Sequence, residues 1–221
     1  MKKIVAAVLL LVGFVLLYLA YFEQKPFAEA QIRRKAVAEA AVIENTEDPL
    51  YREINFTMLQ GINPDIIGWL YAPQIGVDQP ILQGADDLVY LNTDFEGNNS
   101  PSGSVFTWAD ADRYLSDSHI CLFAHNLPSG QMFGKLDLFQ DESFLEENRT
   151  LYLYTPKDAR ELEVYSAYEC HKEDQIFQDS SGRTAEHADC QTVTLATCAG
   201  YGQTEIRFVV NCRVENIKVV L

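Results

Sequence analysis

Basic residues are scarce in this chain: 17 Lys and Arg stand against 32 Asp and Glu, a formal net charge of -15. Setting aside Lys2 and Lys3, the only charges before Glu23, leaves 15 against 32, or -17. A surface of that sign repels phosphate backbones and argues against nucleic-acid binding. The acidity itself reads as a solubilising surface. No two cysteines stand in Cys-x-x-Cys spacing, so zinc-ribbon and thioredoxin-type chemistry have no foothold. Internal repeats and low-complexity tracts are also lacking.

Long apolar runs are limited to one. Residues 4–22 carry neither a charge nor a proline over 19 positions. As a helix, at about 1.5 Å per residue, they span roughly 28 Å, the hydrocarbon thickness of a bilayer. Lys2 and Lys3 in front favour the N-terminus inside and the remainder outside. A cleaved signal peptide is the competing reading, but its apolar region is about 7–15 residues and closes on a small-x-small site. Here Tyr18-Leu19-Ala20 puts a bulky residue where a small one is needed, and Ala28-Glu29-Ala30 lies far downstream. The expectation is a retained signal anchor at 4–22, a cytoplasmic tail at 1–3, a helical stalk or linker at 23–48 and one folded domain at 49–221. Either reading makes the folded part extracytoplasmic.

Beyond the anchor the chain is globular in composition. Over its whole length it is 48% hydrophobic and 11% aromatic, enough for one domain with a real core. Residues 26–45 are alanine-rich and read as a helix with a weak apolar face. Asp48 before Pro49 reads as an N-cap with proline at the first helical position. Leu50, Ile54 and Met58 then recur at four-residue spacing, with Gly61 as the stop. After Gly61 the pattern turns to short strands, at 68–71, 79–82, 103–107, 118–124, 150–154, 161–169, 191–197 and 205–214. These are rich in Val, Ile, Tyr and Phe and bounded by Gly, Pro, Asn and Asp. Eight strands in one domain predict a mostly β fold, a closed or nearly closed barrel that removes exposed edges. Short helices are expected after Asp86 and over 132–139, the latter with Met132, Phe133, Leu136 and Phe139 on one face.

Five cysteines, at 121, 170, 190, 198 and 212, leave at least one thiol unpaired within the monomer. Cys121 and Cys212 lie in apolar strand runs, as small buried hydrophobes do. Cys170 and Cys190 are candidates for a disulfide that spacing alone does not establish. Cys198 is different. Val193, Leu195 and Thr197 alternate with Thr194, Ala196 and Cys198 in a period-two pattern, and Cys198 ends it at the loop Ala199-Gly200-Tyr201-Gly202. Eight residues separate Cys198 from Arg207, which opens the next strand. If the two strands pair antiparallel, the two residues come opposite one another, about 4.5–5.5 Å apart at Cβ. An arginine there stabilises a thiolate or donates to an oxyanion; the plainer alternative is a surface arginine on a barrel strand. A thiol nucleophile also needs a proton partner. Of the four histidines, His119 lies within a strand, His171 and His187 in polar stretches, and His125 at a strand end before Asn126-Leu127-Pro128-Ser129-Gly130.

The segment Thr194-Leu195-Ala196-Thr197-Cys198 resembles the TLxTC signature of sortases, with Arg207 in Ile-Arg-Phe-Val-Val following as that family's arginine does. Ala124-His125-Asn126, continuing to Met132-Phe133 and Leu136, is similar to the sortase histidine segment. Ile62-Asn63-Pro64-Asp65-Ile66-Ile67-Gly68-Trp69-Leu70 resembles the start of class B domains. So do Pro80-Ile81-Leu82-Gln83-Gly84, Tyr90-Leu91-Asn92 and Ser102-Gly103-Ser104-Val105-Phe106, and the likeness runs in order over about residues 50–221. It departs at residues 169–191, short and polar where class B members usually carry a long helix that helps to recognise the sorting signal. Ala124 also stands where relatives often have glycine, and Ala199 where some have a polar residue.

The resemblance implies an eight-stranded sortase-type barrel and a two-step transpeptidation without a cofactor or metal. Cys198 attacks a backbone carbonyl within a C-terminal sorting motif of a secreted protein. His125 moves the proton, and Arg207 holds the motif and stabilises charge at the carbonyl oxygen. Thr197, Leu195 and Ala196 are expected to line the groove floor, and Asn92 to touch substrate. The acceptor is a cell-wall peptide precursor or a pilin amine, in a Gram-positive-type setting. Rival readings are an extracytoplasmic cysteine hydrolase, a non-catalytic exported barrel serving as a binding module, and a structural stalk protein.

Overall fold

The computed structural model describes residues 2–44, 46–177, 190–198, 200 and 204–220. Two short strands, β1 (Val42–Glu44) and β2 (Glu53–Ile54), form a small ribbon of their own. Eight further strands close a barrel: β3 (Ile66–Ala72), β4 (Val77–Gln83), β5 (Val105–Thr107), β6 (His119–Phe123), β7 (Thr150–Tyr154), β8 (Asp158–His171), β9 (Thr192–Cys198) and β10 (Ile206–Val219). The order around it is β10-β8-β7-β3-β4-β5-β6-β9. Two neighbouring pairs, β4 with β5 and β6 with β9, are parallel, and the rest are antiparallel. All eight expected strands are present, several longer than their sequence pattern showed. Closure gives every barrel strand a neighbour on both sides.

Alternation decides what fills the barrel. Ile120, Leu122, Val193, Leu195, Phe208, Val210 and Cys212 point inward and join Ile81, Leu151, Leu153, Leu162 and Phe133 in one buried cluster. Cys121 and Cys212 are both fully buried, as small apolar residues. Burial alone pushes the Cys212 thiol well above its ordinary pKa. A second cluster lies outside the barrel wall, where Val37, Ala41, Ile54, Phe56 and Leu59 cover Ile66, Trp69 and Leu82.

Helix α1 (Lys2–Ala41) is continuous across the apolar segment and the stretch read as a stalk, 40 residues or about 60 Å. Its apolar N-terminal part is long enough to cross a membrane and is not buried by any of the described residues. Its C-terminal part lies on the barrel. Ala30, Arg34, Val37 and Ala41, spaced by four, three and four, are buried there.

Three local expectations change. The helix anticipated from Pro49 to Gly61 is two short pieces, a 3-10 turn (Pro49–Tyr51) and α2 (Phe56–Ile62). Between them lies β2, paired with β1. Asp48 caps the first piece through Leu50 N, as expected, but the Asn55 side chain caps the second through Met58 N. The break is tertiary: Arg52 makes a two-pronged pair with Asp78 at 2.9 and 2.8 Å, and Asp78 also accepts from Trp69 Nε1 at 2.6 Å. After Asp86 there is a 3-10 turn (Val89–Leu91). The apolar face anticipated over 132–139 is buried, but helical structure starts only with a 3-10 segment (Leu136–Gln140). Met132 has φ of 55°, a left-handed conformation no right-handed helix includes. Helix α3 (Glu142–Glu147) comes next, with Asp141 accepting from Phe144 N.

Candidate active site

Strands β6, β9 and β10 lie side by side, and the three singled-out residues sit at one end of them. Cys198 is the last residue of β9, and its Cα partner on β10 is Arg207. Directly opposed residues of an antiparallel pair share a face. It is the face carrying Thr194 and Ala196, opposite the one that sends Val193 and Leu195 into the core. On the other flank, β6 runs parallel to β9 with Phe123 level with Ala196. The same offset continues past the strand end, where Ala124 N donates to Ala196 O at 3.3 Å, and brings position 125 level with position 198.

His125 is half-buried, and its Nε2 lies 2.7 Å from the Leu91 carbonyl oxygen. A carbonyl can only accept, so Nε2 carries the proton in that contact. In the neutral ring this leaves Nδ1 as the lone-pair nitrogen, available to take up and release a proton. The Leu91 carbonyl is reached through a close backbone approach. Gly103 has φ of 57°, and a Cβ there would lie 2.5 Å from that same oxygen. The absence of a Cβ at Gly103 is therefore what lets its backbone close on the Leu91 carbonyl that His125 Nε2 meets. Asn126 Nδ2 donates to Gly200 O at 3.0 Å and ties the histidine segment to the loop after Cys198.

Arg207 is half-buried and donates from one terminal nitrogen to the carbonyls of Thr204 at 2.6 Å and Ile206 at 3.2 Å. Its second cross-strand partner, on β8, is Cys170. Sequence reasoning did not place Cys170 here, because the pairing of β8 with β10 is not a local property. Burial, reinforced by Asp174 and opposed by Arg207, pushes the Cys170 thiol up to about 11. Cys170 and Cys190 are both free thiols, not a disulfide.

The expected groove residues divide by face. Leu195 points into the core and is fully buried, and the Thr197 hydroxyl is satisfied by Ala124 O at 2.8 Å. Ala196 faces outward next to Phe123. The Asn92 carbonyl follows that of Leu91 and accepts from Ser100 N at 2.8 Å, which puts Asn92 on the histidine side of the site. Two features had no sequence signal. Phe123 packs on Trp108 and Phe177, with centroids 4.4 and 6.1 Å apart, giving an aromatic surface beside Ala196. Deeper on the same face, His119 Nε2 lies 2.8 Å from Thr194 Oγ1, Thr194 donates to Asn211 at 2.7 Å, and Asn211 donates to Ser166 at 3.0 Å. His119 is buried in that polar ladder, His171 is half-exposed near Glu205, and His187 lies outside the described residues.

Among the described residues no group of three or more His, Cys, Asp or Glu is arranged to hold a metal. A cavity of about 560 Å³ lies beside Tyr51, Tyr154 and Lys218, at the far end of β10 from Arg207, and includes none of the three residues. What the β6-β9-β10 rim offers chemically is a strand-end thiol position, an arginine directly across from it and an imidazole with one nitrogen committed and the other available.

A family model described as Sortase domain matches residues 70–215. Sortase B of Staphylococcus aureus is 26% identical over 180 residues, 72% of this chain and 74% of that protein. Among solved structures, sortase B from B. anthracis superposes with a TM-score of 0.69 at 25% identity, over 86% of this chain and 98% of that one. A Staphylococcus aureus sortase B–substrate complex superposes with a TM-score of 0.65 at 25% identity, over 73% of this chain and 84% of that one.

Proposed function

This chain belongs to the sortase family, most similar to class B, and from that premise we propose that Cys198, His125 and Arg207 are its catalytic residues. A sortase is a cysteine transpeptidase. The observation that carries the assignment is the register of β9 on β10, which pairs Cys198 with Arg207.

In the first step the Cys198 sulfur attacks a backbone carbonyl carbon within a sorting motif. His125 Nδ1 takes up the thiol proton as the sulfur attacks and gives it to the departing amine as the peptide C–N bond breaks, and a thioester remains on Cys198. In the second step an incoming amine attacks the thioester. Its proton passes to His125 Nδ1 and on to the Cys198 sulfur as the C–S bond breaks, and a new amide leaves with the thiol and the neutral ring restored. Arg207 offers N–H groups to the carbonyl oxygen as negative charge gathers there. Neither step calls for a redox partner. Leu195, Ala196 and Thr197 contribute to the groove chiefly as backbone, with Asn92 across from them. The Phe123–Trp108–Phe177 surface suits an apolar portion of the bound peptide.

The donor in this reading is a secreted protein bearing a C-terminal sorting signal. The acceptor is a cell-wall peptide precursor or a pilin amine. The apolar half of α1 serves as a retained, single-pass anchor with the N-terminus inside and the barrel outside the cell. Support for retention comes from the helix continuing unbroken into the barrel, so that residues 30–41 belong to the folded core.

The test is mass spectrometry of the full chain incubated with a library of sorting-type peptides and an amine. A thioester on Cys198 and an amide product are expected, and Cys198→Ala should give neither. Release of free acid alone in the presence of amine would make the protein a hydrolase instead. Unchanged cleavage by Cys198→Ala would refute the nucleophile.

A further inference from the structure

Helix α1 touches the barrel through two adjacent arginines, and each grips one of the two segments that hold His125. Arg33 donates to Asp94 at 3.1 Å, and the Asp94 side chain is only 3% exposed. The other oxygen of Asp94 accepts Glu96 N at 3.0 Å and Asn98 N at 2.9 Å, so the arginine anchors a closed loop. That loop is pinned at its base by Ser100 N to Asn92 O and Ser104 N to Tyr90 O, around the Leu91 carbonyl that His125 Nε2 meets.

Arg34 takes the other segment. It is 9% exposed, in line with Ala30, Val37 and Ala41 on the buried stripe where a leucine would cost less. It donates to Gln131 Oε1 at 2.5 Å, and Gln131 Nε2 donates back to Gln31 one turn earlier on the helix at 3.3 Å. Residues 131–133 fold directly onto the histidine strand end. Asn126 bridges Met132, and Phe133 N donates to His125 O at 3.0 Å. Gln131 is thus the handle by which α1 holds the backbone of His125, as Asp94 is the handle by which it holds the ring. A guanidinium buried on a helix face is retained where its directional hydrogen bonds specify an arrangement that packing alone does not.

We propose that Arg33 and Arg34 are positioning residues for the transpeptidation, holding His125 with Nε2 on the Leu91 carbonyl and Nδ1 toward the reacting atoms. Because both sit on the helix whose other half is apolar, membrane anchor and imidazole form one mechanical unit. Docking of the helix is then a condition of full activity as well as of location. This inference rests on the reading of His125 as the proton carrier.

The experiment uses the full chain in detergent micelles, with Arg34→Met, which keeps the apolar stem, Gln131→Ala on the partly exposed loop, and Gln131→Glu, which restores a charged acceptor for Arg34. Two quantities are read: steady-state kinetics with a sorting peptide, and the ring-nitrogen NMR shifts of His125. Expected for Arg34→Met and Gln131→Ala is a kcat about tenfold lower with KM within about twofold, and a smaller Nε2–H population. Gln131→Glu should recover most of both. Should Arg34→Met not fold, Gln131→Ala carries the test unaided. Wild-type kcat and an unaltered tautomer in Gln131→Ala would overturn the proposal. A shifted tautomer together with full activity in His125→Ala would instead leave the brace intact and remove the catalytic reading of His125.

Discussion

Arg207 stands between two cysteines, with Cys198 as its cross-strand neighbour on β9 and Cys170 as its neighbour on β8. The three occupy one face of three adjacent strands. Position 207 is therefore opposed by position 198 on one side and 170 on the other, and Cys198, at the strand end and level with position 125, is the one we propose for catalysis. The other is a half-buried thiol whose environment holds it protonated.

That difference can be read by alkylation. Burial raises Cys170 from 9.0 to about 11, so its thiolate fraction at pH 7 is on the order of one in ten thousand. A thiol-specific reagent at pH 7 should modify Cys198 and leave Cys170 untouched, and Cys170 labelling should climb as pH approaches 11. The linked effect on stability has a definite sign. The folded-state value lies above the unfolded one, so the neutral Cys170 thiol favours the fold up to about pH 9 and that contribution fades as pH rises through about 11. Peptide mapping after labelling checks this; equal rates at both cysteines near neutrality would contradict it.

Arg207→Lys retains the charge and loses the planar fork. A lysine ammonium is a compact point charge that cannot offer two parallel donors. kcat/KM for a sorting peptide should fall about 100-fold, as when one oxyanion donor is removed. Melting temperature should barely change, because Arg207 is half-buried and, among the described residues, donates to the carbonyls of Thr204 and Ile206 next to it in sequence. Wild-type kcat/KM in Arg207→Lys would rule out a forked contact with the substrate.

Gly103→Ala reports on the Leu91 carbonyl. The added methyl would meet that oxygen at 2.5 Å and the Tyr90 carbonyl at 2.8 Å, on a backbone with φ of 57°. The left-handed conformation alone costs an ordinary residue about 1–2 kcal/mol. Displacement of the carbonyl from His125 Nε2 should lower kcat about tenfold beyond any loss from unfolding. Kinetics at a temperature where urea melts show the variant fully folded separate the two. A destabilised variant with wild-type kcat would detach the Leu91 carbonyl from function.

Much of the barrel was legible in the residues. The alternation of Val193, Leu195 and Thr197 with Thr194 and Ala196 depends on nearest neighbours alone, and the strand it predicts is present. The antiparallel return from Cys198 to Arg207 was equally readable, because a short connection fixes the register of the two strands it joins. The helix anticipated from Pro49 failed for the opposite reason. Leu50, Ile54 and Met58 repeat correctly, but Arg52 is drawn to Asp78 and Ile54 to Val42, partners 26 and 12 residues away that no local pattern announces.

Composition and periodicity by themselves determined an apolar N-terminal helix, an acidic domain of eight strands, and a thiol and an arginine on consecutive strands, opposite one another on the condition that those strands pair antiparallel, since each follows from chain-local geometry. The tertiary structure alone decided that His125 joins them, through the parallel pairing of β6 with β9 and the carbonyl of Leu91. It alone brought Cys170 to the other side of Arg207 and laid the stalk helix against the histidine's supports. Those contacts span tens of residues of sequence. They exist only because closing a barrel brings distant segments to one rim, and closure is a property of the whole sheet rather than of any strand in it.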